Sequence, residues 1–485
     1  GSTITSLIYA SFTFLFFALE AAVMAVALEM YFAIPLGLAY VASALVVIPL
    51  AIYGITRISR LQAWTQPLWL VLLLVPYVAV LLAHPQLPGE LASFVGKQGD
   101  NGFDLLSFGL ACTLVLALVT QIGEQVDYLR FLPAQTAANR GRWWAALLLA
   151  GPGWIVPGAL KMLGGALLAV LALQHGVGIE HADEPAQLYR VAWEQVFADP
   201  RWAMAAMVLL VVVSQVKINV TNAYAGSLAW SNFFARVTHS HPGRVVWLVF
   251  NVGIALMLME LGVVETIEQV LGLYANVAIA WIGAMVADLV ISKPLVMAPW
   301  LIEFKRAHLH DINPVGVGAM LFASLLAILA YAGAFGALAQ ALAPLIALGT
   351  ALLAAPLLAW LTKGRYYIAR AHQPELLHPH RQQGKVECGV CGNAYEEPDM
   401  AWCPAYAAPI CSLCCSLDAR CGDQCKPRVP LHERIEAWLG RLLPGVAVPR
   451  LHTRLLHYLL VFGLMGVLLA GALALVYGQV AHGLA

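Results

Sequence analysis

Eight of the nine cysteines in this 485-residue chain fall in one short stretch, spaced Cys388-x2-Cys391, Cys403, Cys411-x2-Cys414-Cys415 and Cys421-x3-Cys425. Two Cys-x2-Cys turns can close four thiolates around one tetrahedral zinc, and four further thiols remain for another ion. The spacing predicts two zinc ions, one on Cys388, Cys391, Cys411 and Cys414, the other on Cys403, Cys415, Cys421 and Cys425. An iron–sulfur cluster is the rival, since it also takes four cysteines. The ninth, Cys112, lies in an apolar run and reads as a packing residue.

A second group with chemical potential lies in an otherwise apolar segment. On a 3.6-residue period Gln215, Asn219, Asn222 and Gly226 share one helix face. Three amides in one stripe offer the donors and acceptors that a ligand with a hydrogen-bonding edge requires, although amides also serve as glue between membrane helices. Glu20 sits in the middle of another apolar run and needs a cavity or a cation, and Lys217 is an available cation. Lys161 can snorkel, and Asp288, near Lys293, reads as an interfacial charge.

The elements that must position these residues are membrane helices. Hydrophobic residues make up 61% of the chain and charged residues 11%, where a soluble domain carries about a quarter charged. The 27 basic and 27 acidic residues balance, which leaves no electrostatic footprint for nucleic acid. Eleven runs are apolar enough to span: 5–31, 34–55, 65–83, 103–121, 143–173, 202–229, 244–261, 267–291, 314–335, 338–361 and 455–480. They are unbroken rather than alternating, so helices and not barrel strands are expected.

Arg57 and Arg60, then Arg130, Arg140 and Arg142, then Arg236 and Arg244, then Lys293, Lys305 and Arg306, then Lys363, Arg365 and Arg370 fall in every second connection. The positive-inside rule puts these connections, the N-terminus and the cysteine stretch in the cytoplasm. Disulfides are disfavoured there, which supports metal ligation. The expected organisation is a ten-helix membrane domain at 1–362, a linker at 363–387 and the cysteine module at 388–426. A second linker at 427–450 and an additional membrane helix at 451–485 follow. Gly1-Ser2 without an initiating methionine, and a last helix that leaves the chain on the far side, read as a chain cut at both ends. No phosphate loop, zinc-protease helix or nucleophile elbow occurs, so no enzymatic activity is expected of this chain.

Three runs resemble motifs of the nucleobase:cation symporters, the purine–cytosine permeases. Phe16-Phe17-Ala18-Leu19-Glu20 is similar to the aromatic motif of that family's third span, which ends in glutamine. Asp127-Tyr128-Leu129-Arg130-Phe131 is similar to the close of its sixth span, and Gln215 to Asn222 to its eighth. The resemblance covers the first ten runs and implies a five-plus-five inverted-repeat fold that lacks its first two spans. It also implies that Phe16, Glu20 and Asn219, with Gln215 and Asn222 beside them, hold a flat heterocycle by stacking and amide pairing. Glu20 stands where the family has glutamine, which favours a ligand with donor groups or a cationic ring. Lys217 stands where sodium-coupled members carry hydroxyls, so its ammonium is expected to replace the ion.

The cysteine module and the helix after it are foreign to that family. They resemble instead the transporter-shaped input region of bacterial membrane sensor histidine kinases. That resemblance implies an inner-membrane receptor in contact with lipid, with kinase domains following in cis. The alternative is a fragment of a transporting symporter.

Overall fold

The computed structural model describes residues 2–426 apart from 97–101, 130–131, 239–242, 263–266, 301, 383, 418–420 and 422–423. Beyond 426 only positions 463, 467, 471 and 474 are described, so the expected linker at 427–450 and nearly all of the expected last helix lie outside the described residues.

The first part of the chain is helical throughout. α1 (Ser2–Phe32), α2 (Leu36–Leu45), α3 (Val47–Ile52) and α4 (Ile55–Ala83) are followed by the short α5 (Leu87–Ala92). α6 (Leu105–Leu118), α7 (Ile122–Leu129), α8 (Arg140–Ala150), α9 (Ile155–Gln174) and α10 (Pro185–Glu194) lead to the longest helix, α11 (Pro200–Thr238). α12 (Arg244–Glu260), α13 (Ile267–Ala287), α14 (Pro314–Tyr331), α15 (Ala337–Ala341) and α16 (Ala343–Thr362) complete the helical part. Among the described residues, seven helical stretches are long and apolar enough to cross a membrane, and two shorter apolar ones lie at Leu36–Ile52 and Leu105–Gln121. The apolar part of the chain is therefore all-α, and its helices are those of a multi-pass membrane protein.

Local sequence explains the ends and the breaks. Asp104 caps α6 by accepting from the N–H groups of Leu106 and Ser107, and Asn313 caps α14 through Val315. Asp199 accepts from the N–H of Arg201 beside Pro200, the first residue of α11. Three of the expected unbroken spans are interrupted. The run at 143–173 divides at Gly151-Pro152-Gly153, where proline removes a donor and the glycines add backbone freedom. The run at 34–55 divides at Val46, and 338–361 divides ahead of Pro344.

Two packed groups form the interior. α1 lies along α11, with α2, α3 and α12 against them. α13, α14 and α16 form the other group, with α6 at its side. In that second group Ala347, Ala351, Ala355 and Ala359 line one face of α16 against Ala319, Ala323 and Ala327 of α14. Small side chains let the backbones approach closely, which supplies dispersion contacts where lipid removes the hydrophobic drive between helices. The outer faces of α4, α9, α14 and α16 carry exposed residues such as Leu82, Ile155, Phe322 and Leu353, a surface suited to lipid.

The third body is the cysteine module. β1 (Arg381–Gln382), β2 (Lys385–Glu387) and β3 (Ala394–Glu396) form one antiparallel sheet, and β4 (Met400–Cys403) pairs with β5 (Ala408–Cys411). A single short helix, α17 (Ser412–Leu417), starts directly after β5.

Candidate metal centre and intramembrane polar site

Each Cys-x2-Cys pair of the module is presented by a tight turn. The first follows β2, where the N–H of Cys388 bonds the carbonyl of Asn393 at 2.9 Å and Gly392 closes the turn onto Cys388 at 2.8 Å. Gly392 has φ +70°, a conformation that side chains disfavour. The second pair sits where β5 turns into α17, so that Cys411 ends the strand and Cys414 lies in the first helical turn. The ligand atoms of Cys388, Cys391, Cys411 and Cys414 all lie within 4.8 Å of one another. Among the described residues this is the one group of such side chains close enough to share a metal ion.

Backbone N–H groups reach several of the sulfurs. The N–H of Cys411 donates to Cys388 Sγ at 3.3 Å, and the N–H of Cys414 donates to Cys411 Sγ at 3.4 Å. The Asn393 N–H, with hydrogen bonds from Cys388, Tyr395 and Cys414, holds the exposed Cys391 thiol down at about 6. Burial pushes Cys411 and Cys414 upward, and the neighbouring thiolate of Cys411 adds to the rise at Cys414. Burial thus opposes ionisation of Cys411 and Cys414, and a bound cation would favour the thiolates. Four converging thiols, three of them with an N–H donor to sulfur, are a donor set suited to a metal ion.

The other expected set is less closely drawn. Cys415 is pushed up to about 12, first by burial, with Cys425 and Cys421 near enough to add to the rise. Cys403, Cys415, Cys421 and Cys425 share one core with the first set, but do not converge as tightly among the described residues.

This core is fastened to the membrane domain. Ala307, from the segment between α13 and α14, is buried within it, and its N–H bonds Cys415. Lys305 Nζ donates to the carbonyl of Pro398 at 2.7 Å, Arg370 Nη1 to that of Trp402 at 3.1 Å, and Lys426 Nζ to Asp311 Oδ1 at 2.7 Å. Arg236, near the end of α11, reaches Ser416 Oγ on α17 at 3.5 Å. Glu303 braces the segment by accepting from His308 Nδ1 at 2.7 Å and from the N–H groups of Phe304 and Lys305 at 2.9 Å each. Burial alone raises Glu303, but these donors and the Lys305 charge outweigh it, and the carboxyl lies below its usual value. Burial holds His308 below its usual value, so it serves as a neutral donor.

Within the membrane the amide stripe lies at the α1–α11 contact. Asn219 is fully buried, its Nδ2 donating to the carbonyl of Phe17 at 3.3 Å while its Oδ1 accepts from Asn222 at 3.2 Å. Gly226 marks the closest approach: a Cβ there would stand 2.5 Å from Thr13 Oγ1 and 2.6 Å from Asn251 Oδ1. Gln215 Oε1 and Asn222 Oδ1 are buried acceptors without a hydrogen-bond partner among the described residues.

Phe16 is buried in a different cluster, tilted on Phe12 at 4.4 Å beside Leu271 and Ala275, and not on the stripe. Glu20 meets Lys161 and the amide of Gln215. Lys217, expected to pair with Glu20 or to occupy a sodium position, reaches α4 instead. Its Nζ donates to Gln66 Oε1 at 2.8 Å and to the carbonyl of Gln62 at 3.2 Å, and Gln62 Nε2 donates back to the Lys217 carbonyl at 2.8 Å. Trp69 on α4 donates to Ser214 Oγ at 2.9 Å and has the ammoniums of Lys217 and Lys161 at 5.8 and 5.9 Å from its ring centre.

Gln62, Gln66 and Trp69 carry a signal in the sequence, a polar-aromatic stripe at spacings of four and three on one helix face. The phenol of Tyr367 bonds Asp288, which gives that carboxylate a partner at the end of α13. The side chains of Asp127, Arg130 and Phe131, from the expected sixth-span motif, lie outside the described residues. No protein-family model matches the chain, and neither a curated protein nor a solved structure matches it.

Proposed function

We propose that this chain is the input region of a membrane sensor, in which a small planar heterocycle binds between α1 and α11 and the cysteine module carries the signal onward. The observation that supports this most is a continuous helix. α11 bears the Gln215–Asn219–Asn222 stripe and ends with Arg236 against α17, the helix that contributes Cys414. A ligand that favours one arrangement of α1 and α11 therefore acts on the base of the metal module, and metal occupancy acts back on the ligand site by the same factor. The ligand class and the kinase output rest on the motif resemblance.

The module is proposed to hold two zinc ions, the second on Cys403, Cys415, Cys421 and Cys425, because Cys403, Cys415 and Cys421 are buried in the core that also holds Cys388 and Cys411, with Cys425 packed against it. Elemental analysis of the purified chain tests this, with two zinc atoms per chain expected. One atom would remove the second site, and iron with visible absorption would replace zinc by a cluster.

The experiment for function is equilibrium binding of a nucleobase panel to the full chain in nanodiscs, before and after chelation. Affinity for a bound heterocycle is expected to change several-fold on metal removal, a coupling of about 1 kcal/mol or more. Binding indifferent to metal would separate the module from the ligand site. Accumulation of nucleobase in proteoliposomes would favour a transporter.

A further inference from the structure

Charge does not balance around Trp69. Two ammoniums, Lys161 and Lys217, stand at its ring, and the carboxylate at hand, Glu20, lies beside Lys161. The hydrogen-bond partners of Lys217 are a carbonyl and an amide oxygen, both neutral, and they use two of the three ammonium donors. Among the described residues no carboxylate lies within ion-pair distance of Lys217.

Depth makes this imbalance consequential. α11 runs from Pro200 to Thr238, so Lys217 lies about 25 Å from one end and about 31 Å from the other at 1.5 Å per residue. A cation at that depth is costly, and it marks a ligand or ion pathway by default. Glu20, Trp69, Gln215 and Lys217 all keep partial exposure and Lys161 is exposed, so the cluster is reachable rather than sealed.

We infer that Lys161 and Lys217, held beside the ring of Trp69, form an anion subsite, so that the ligand of this membrane domain is a planar heterocycle carrying a carboxylate or an ionised ring nitrogen, not a neutral base. The anion completes the third donor of Lys217 and neutralises the surplus positive charge. The ring N–H groups of the same ligand can donate to Gln215 Oε1, a buried acceptor without a hydrogen-bond partner among the described residues. Glu20 has Lys161 as a cationic neighbour, so its presence does not by itself select a cationic ring, contrary to what the sequence alone suggests. The inference rests on the ligand-binding reading above and narrows it to acidic ligands.

The test is calorimetric titration of the full chain in nanodiscs with three probes at neutral pH: uracil, its carboxylate orotate, and urate, whose ring is ionised. Orotate or urate is expected to bind at least about tenfold more tightly than uracil, the scale of one favourable desolvated charge contact. Preference for orotate alone identifies a carboxylate partner, and preference for urate identifies ring ionisation. The advantage is expected to disappear in Lys217→Gln and to persist in Lys217→Arg, with Lys161→Gln reducing it. Uracil binding as well as both anions in the unmutated chain overturns the anion subsite and leaves the heterocycle reading in place. Binding of none of the three overturns the heterocycle reading itself.

Discussion

Asn219 carries the most structural consequence of any single side chain in the membrane domain. It joins α1 to α11 through Phe17 and holds Asn222 in place, with no exposure of its own. Asn219→Ala removes the link to the Phe17 carbonyl, which keeps its own helical bond, and leaves the Asn222 amide unpaired at membrane depth, a cost of about 1–3 kcal/mol. Against this, hydrogen bonds between membrane helices often contribute about 0.6 kcal/mol, because the separated helices find other partners. The expected outcome is a loss of roughly 1–3 kcal/mol in resistance to thermal unfolding in detergent, together with lost heterocycle binding. Stability unchanged in that variant would show the amide pair to be idle.

Cys391 provides a second test at this scale. Its folded value of about 6 lies below that of a free thiol, about 8.5, so the fold favours its thiolate. That preference is fully present above the free value and is lost as pH falls through about 6. In metal-free protein Cys391 is therefore expected to alkylate first at neutral pH, ahead of the buried Cys411, with the rate falling steeply below pH 6. Metal should protect it, and peptide mapping of the alkylated sites reads the order. The pairing of the first four cysteines was legible from spacing, because two Cys-x2-Cys turns define a tetrahedron locally. The partner of Lys217 was not legible, because Gln66 is remote in sequence and only the docking of α4 on α11 brings it near.

Among the elements, the segment between α13 and α14 joins the metal module to the membrane. Ala307 enters the module core, Lys305 ties it to Pro398, and Glu303 fixes the segment through His308. Because the folded value of Glu303 is depressed, its stabilisation is present above the ordinary carboxylate range and is lost as pH falls through the folded value. Glu303→Gln is expected to abolish that acid sensitivity and to cost about 1–3 kcal/mol, the range for a buried hydrogen bond to a charged group. Limited proteolysis between α16 and β1 should then proceed faster, and an unchanged rate would assign the fastening to Arg370 and Lys426 instead.

Helix boundaries illustrate what hydrophobic runs alone convey. The apolar stretch at 143–173 reads as one span, yet Gly151-Pro152-Gly153 divides it into α8 and α9. Averaged hydropathy cannot register such a break, since proline and glycine sit within an apolar run without lowering it much. α11 fails in the opposite direction. Its helix continues past the apolar run to Thr238, and there Arg236 bonds Asn232 one turn back and reaches Ser416 on the module.

For the whole molecule, the side of the membrane on which the module lies decides the chemistry of its thiols. In a reducing cytoplasm eight clustered cysteines remain free to bind metal, whereas in an oxidising compartment the same cluster would be driven to disulfides. No pair is oxidised here, and four sulfurs converge in the manner of a metal centre. By the positive-inside rule the loops with Arg57, Arg140, Arg236 and Arg370 are expected in the cytoplasm, and the acidic loop with Glu180, Asp183 and Glu184 on the other side. The fold adds an independent constraint. The module rests on Arg236, Lys305 and Arg370 together, so these three cationic connections must face the same compartment as the metal thiols. A cysteine introduced at Glu184 is therefore expected to react with an impermeant maleimide added to intact cells. A cysteine at Arg140 or His378 should react only after permeabilisation. Reaction of all three from outside would reject the arrangement, and reaction at Arg140 and His378 alone would invert it, placing the metal module in the compartment where disulfides form and making zinc the less favourable occupant.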